Sequence, residues 1–106
     1  MPARVGAADF RTEVLEADRA VLVDFYSDSC IPCKRMSPVL SQLEAEFADS
    51  IKIVKVNVNF EQELAEEYEV QSAPTLVFFR NGTEVDRIRG AVSKDELAEA
   101  INSVNS

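Results

Sequence analysis

A chain of 106 residues, 46% of them hydrophobic, can fill one core but has no room for a second, so residues 1–106 are expected to form a single domain. The 11 basic and 19 acidic side chains leave a formal charge of -8, which repels phosphate backbones and anionic headgroups and argues against nucleic-acid or membrane binding. MPARVGAADF at the N-terminus has no apolar signal-peptide core and no later run reaches the length of a membrane span, so the expectation is a cytoplasmic protein, where a purely structural disulfide would not persist.

In chain order, residues 2–6 predict a short edge strand and ADFRTEVLEA (8–17) an opening helix. AVLVDFY (20–26) is β-branched and nearly continuous in apolar residues, as expected of a strand covered on both faces. Met36, Val39, Leu40, Leu43 and Phe47 then recur at helical spacing and predict an amphipathic helix that begins near the cysteines, with a kink at Pro38. IKIVKVNV (51–58) reads as a second central strand, and strand, helix, strand implies a parallel pair joined by a right-handed crossover. Leu64, Ala65 and Tyr68 form a weaker helical pattern within EQELAEEYE (61–69), whose five Glu without a base read more simply as a solvated helix face than as a docking patch. TLVFFRNGTEVDRIRG places Asn81-Gly82 between two strand-like runs, the signature of a hairpin. Ser93 and Glu96 form a capping box ahead of Leu97, Ile101 and Val104, so a helix closes the chain. The sum is an α/β fold, βαβαβαββα, with a central mixed sheet flanked by helices.

The chemistry lies in SCIPCK, which holds both cysteines of the chain, Cys30 and Cys33. Two cysteines three apart at a helix start can close a disulfide, and Pro32 sits in the first turn, where its missing N–H costs little. Cys30 at the cap faces the unpaired N–H groups and the positive end of the helix dipole, which favour thiolate, so it is the natural nucleophile. Cys33, one turn in and more enclosed, can then attack the Cys30 sulfur of a mixed disulfide. Two other readings stay open on the residues alone. A structural zinc site would have to be shared by two chains, since there is no His and no third Cys, and two inert core cysteines are also compatible with the pattern. Asp24 lies within the apolar strand, where burial should raise its pKa unless it is solvated at an edge. Lys55, in the other central run, could accompany it or simply point outward.

VDFYSDSCIPCKRMSPVL and SAPTLVFFRNG resemble the active-site segment and the proline loop of the thioredoxin family, and the order and spacing of elements match over essentially the whole chain. The resemblance implies the thioredoxin fold, no prosthetic group or metal, and a monomer that reduces protein disulfides with electrons from thioredoxin reductase or a similar flavin reductase. It implies that Asp24 is the proton acceptor for the resolving Cys33, that Lys55 modulates Asp24, and that Pro74 is a cis proline opposite the cysteines. Beside it the Ala73 backbone would pair with the bound substrate strand, while Ser29, Ile31, Pro32, Gly90 and Ala91 would complete the substrate-binding surface. The sequence departs from the family's Trp-Cys-Gly-Pro-Cys at Ser29 and Ile31; Arg89 stands in place of a usual apolar residue, and Tyr26 where many relatives have Trp. These departures fall on the contact surface, so a dedicated partner is the alternative within redox chemistry. A non-catalytic binding subunit on the same scaffold is the alternative outside it.

Overall fold

The computed structural model describes residues 1–106 throughout. The elements are β1 (Ala3–Arg4), α1 (Ala7–Phe10), β2 (Ala20–Tyr26), α2 (Ile31–Glu46), β3 (Ile51–Asn57), α3 (Gln62–Glu67), β4 (Thr75–Arg80), β5 (Thr83–Arg89) and α4 (Lys94–Asn105). The order βαβαβαββα is the one expected. The opening helix differs from a simple α-helix over 8–17: α1 passes into a π-helical stretch, Arg11–Leu15, closed by a Glu16 N–H to Arg11 carbonyl bond of 2.9 Å. The edge strand expected over 2–6 reduces to two residues, which limits the unpaired edge left for other chains. β3 stops at Asn57, one residue short of the expected end, although the Val58 N–H still donates to the Tyr26 carbonyl.

The sheet order is β1-β3-β2-β4-β5, with β1, β3 and β2 parallel and β4 and β5 antiparallel to their neighbours. Side chains alternate across β2, so Val21, Val23 and Phe25 enter one core with Phe10, Leu64 and Phe79, while Ala20 and Leu22 enter the other with Met36, Leu40 and Leu97. β3 alternates in step: Val54 and Val56 face the first core, Ile51 and Ile53 the second. Asp24 and Lys55 therefore belong by alternation to the face covered by α2, and they are direct partners in the parallel register. This placement, fixed by period and register, brings an acid and a base beneath the cysteine helix.

α2 runs through Pro38 without ending. Asn81 and Gly82 both take positive φ, +53° and +78°, and close the β4–β5 hairpin as expected. A Cβ at Gly82 would also lie only 3.0 Å from the Leu15 carbonyl, so conformation and space both call for glycine there. Ser93 caps α4, its hydroxyl accepting from the Glu96 N–H at 3.2 Å. No helix is long and apolar enough to cross a membrane.

Candidate active site

Strand β2 delivers the chain to the carboxyl end of the sheet, and α2 starts five residues later with Cys30 as its N-cap. The Cys30 backbone is extended, so its sulfur turns back over the helix start and accepts the Cys33 N–H at 3.0 Å. That bond, with the open N–H groups of the first turn, stabilises negative charge on Cys30 when the pair is reduced. Cys30 and Cys33 are joined as a disulfide, with Cα atoms 5.2 Å apart. Cys33 is the more enclosed of the two by a small margin, 5% exposed against 8%. Pro32 lies exposed in the first turn, where no helical N–H is needed.

Ala73-Pro74 is a cis peptide, and it brings the Ala73 carbonyl to 3.4 Å from the Cys30 sulfur. Tyr26, Cys30 and Cys33 pack together with Ala73 against them, so the proline loop and the cysteine turn form one small surface. Gly90 closes its far side, donating its N–H to the Pro74 carbonyl at 2.8 Å. Gly90 has φ +94° and open space where a Cβ would project, so its conformation, rather than a close approach, favours glycine. Around this centre Ser29, Ile31 and Ala91 are exposed, Ile31 to 62%. An aliphatic side chain this open, one residue from the Cys30 sulfur, is available to a partner surface.

Asp24 is 1% exposed, and burial pushes its carboxyl up to about 7, against the pull of Lys55 in the other direction. Its Oδ1 has no hydrogen-bond partner, which leaves an acceptor open for a proton. Lys55 does not point away from the site: its Nζ lies over the Tyr26 ring, 4.5 Å from the centroid. It shares with Cys33, Tyr26, Ser27 and Ser37 a cavity of about 350 Å³ behind the cysteines. Tyr26, Cys30, Cys33 and Ala73 thus pack as one group, with Lys55 lining the cavity beside Cys33 and Asp24 paired to Lys55 in register.

Three further residues build the site. The Asn57 amide donates to Asp28 Oδ1 at 2.9 Å, the Asp28 N–H donates to Asn59 Oδ1 at 2.9 Å, and the Asn57 side-chain oxygen accepts the Asn59 N–H at 2.9 Å. This network ties the turn before Cys30 to the end of β3. Asn57 is buried and its amide satisfied on both sides, as a buried polar group requires. The visible signal was an asparagine closing a β-branched strand; the partner lay 29 residues away and could not be read.

The thioredoxin family model matches residues 2–103. Thioredoxin 1 of Synechococcus elongatus is 40% identical over 100 residues, covering 94% of both chains. The thioredoxin of Pyropia yezoensis is 41% identical over 99 residues, covering 93% of this chain and 92% of its own. That of Haemophilus influenzae is 42% identical over 98 residues, covering 92% of each.

Proposed function

This chain belongs to the thioredoxin family, and we propose that in its work as a protein-disulfide reductase Cys30 attacks and Cys33 resolves. The protein is a thiol-disulfide oxidoreductase whose Cys30–Cys33 couple cycles between dithiol and disulfide. The Cys30 thiolate attacks one sulfur of a target disulfide; a mixed disulfide forms and the other target sulfur leaves as thiolate. Cys33 gives its proton to Asp24 and attacks the Cys30 sulfur, which releases the second target thiolate. The target gains two electrons and, from solvent and Asp24, two protons; the couple is left oxidised. Lys55 modulates the acid by lowering its pKa against the effect of burial. The Ala73 backbone pairs with the target strand, and Ser29, Ile31, Pro32, Pro74, Gly90 and Ala91 form the surface that receives it.

The observation that carries the division of labour is the Cys30 sulfur, held at the helix cap by the Cys33 N–H and facing the Ala73 carbonyl at 3.4 Å. Residues 1–106 act in this scheme as one domain and a monomer, in a reducing cytoplasm. A thioredoxin reductase or similar flavin reductase supplies the electrons. The Cys33→Ser variant should accumulate mixed disulfides with insulin through Cys30, detectable by mass on non-reducing gels, whereas Cys30→Ser should trap none. Trapping through Cys33 with none in the reverse case would invert the assignment.

A further inference from the structure

The segment leading into Ala73 and Pro74 is fastened at one end to β5 and at the other to the residue that follows it. At the far end, the Gly90 N–H that follows β5 holds the Pro74 carbonyl at 2.8 Å. At the near end, Arg87 of β5 reaches the close of α3, donating from Nη2 to the Tyr68 carbonyl at 2.7 Å and from Nη1 to the Glu69 carbonyl at 3.3 Å. Carbonyls at a helix end lack helical partners, so the guanidinium supplies what the backbone cannot. Glu69 has φ +56°, a left-handed conformation that a long side chain adopts only where its surroundings hold it. The clamp is itself fixed: Glu84 accepts from Arg87 Nε at 2.9 Å and from Nη2 at 2.8 Å, and the Arg87 side chain is only 12% exposed. Tyr68 packs against Phe10 and Phe79, so the turn is gripped on its core side as well.

We propose that Arg87, locked by Glu84, is a positioning residue for protein substrates: it sets the turn at Glu69 and thereby the backbone at Ala73 on which the target strand is received. The proposal rests on the reductase reading above and adds to it a determinant outside the cysteine surface. The guanidinium is required because one planar fork must serve a carboxylate and two carbonyls together; a lysine ammonium keeps the charge and loses that geometry. Releasing the turn leaves Cys30, Cys33 and Asp24 where they are. It blurs the position of the strand that orients a peptide, so binding suffers and sulfur chemistry does not.

The test uses the full chain, with dithiothreitol as reductant and insulin as the protein disulfide in one assay, and in the other the pre-reduced protein, freed of dithiothreitol, with dithiobis(nitrobenzoate) as a small disulfide that needs no strand pairing. Arg87→Gln and Arg87→Lys should each raise KM for insulin, by about tenfold in the Gln variant, with kcat changed less than about twofold. The rate with the small disulfide should stay within about twofold of wild type. Amides of residues 70–73 should exchange faster in both variants. An unchanged KM in a folded variant, or an equal loss with both disulfides, would overturn the proposal. Should Arg87→Gln fail to fold, Arg87→Lys, which retains the charge and stem, carries the same comparison. Failure of the wild type to reduce insulin would sink the reductase reading itself; an active wild type with variants matching its KM sinks the role of Arg87 alone.

Discussion

Asp24 is the one ionisable carboxylate the fold keeps from water, and its position sets a conflict between stability and chemistry. Its folded pKa, about 7, stands above the ordinary 3.8, so the native state binds the proton more tightly than the unfolded chain. The stability this contributes is complete below about pH 4 and is lost as pH rises toward and through 7. At roughly 1.4 kcal/mol per pH unit, the gap between 3.8 and about 7 amounts to about 4 kcal/mol. Asp24→Asn should remove that dependence: its stability relative to wild type should rise by up to about 4 kcal/mol between pH 4 and 8, read from urea unfolding at each pH. The same variant should turn over more slowly near neutrality, with the gap narrowing at alkaline pH, where Cys33 ionises without a base. Parallel stability curves for the two proteins would show that the carboxyl is not buried as described; equal rates across the pH range would remove it from the mechanism. Asp24 was legible in the sequence because both its flanks are apolar. The direction of Lys55 was not, since an alternating strand has two faces and only the pairing of Asp24 with Lys55 in register decides between them.

At the scale of elements, the first turn of α2 carries both the chemistry and the departure from the family pattern. Its beginning could be read from the cysteine spacing and Pro32, its length from the recurrence of Met36, Leu40 and Leu43, and the hairpin from Asn81-Gly82. The π-helical stretch after α1 had no such signal, because a widened turn arises from packing and leaves the apolar spacing almost unchanged. Arg87 was hidden for a related reason: in the sequence it is one of three close basic residues, Arg80, Arg87 and Arg89, and only the fold brings the end of α3 to it. Ser29 and Ile31 flank Cys30 with a hydroxyl and an exposed branched aliphatic, where the family's common pattern has an aromatic and a glycine. Loss of an aromatic anchor at an interface commonly costs on the order of 1 to 3 kcal/mol, or roughly one to two decades in affinity. Ser29→Trp with Ile31→Gly should therefore raise turnover with a generic thioredoxin reductase by at least about tenfold, while reduction by dithiothreitol, which needs no docking surface, changes far less. Wild type matching the double variant with that reductase would refute a role for these residues in partner choice.

At the scale of the whole molecule, what the sequence conveyed least was how distant parts meet, although the sheet's mixed character followed from one crossover and one hairpin. Asn57 and Asp28, or Glu84, Arg87 and the close of α3, come together only through strand order and register. Charge, by contrast, is legible from composition but acts through shape. A charge of -8 on a body of 31 × 29 × 21 Å produces a negative field at long range, while at short range both signs meet: Lys34 and Lys55 stand with Asp28 beside Cys33, and Arg89 with Glu66 and Glu69. Ionic strength separates the two scales. At 0.01 M salt the screening length, about 30 Å, matches the molecule, so an approaching target senses the total charge; at 1 M it is about 3 Å and only contact charges count. Two disulfide peptides of equal length, one strongly basic and one strongly acidic, should therefore be reduced at different rates in dilute buffer. The basic peptide should react about tenfold faster, with the difference residing in the second-order rate constant. Raising salt to 1 M should slow the basic peptide, speed the acidic one and bring the two within about twofold, since only charges in contact then count. A preference for the basic peptide that did not move with salt would locate the selectivity in short-range contacts and would exclude steering by the molecule's overall charge.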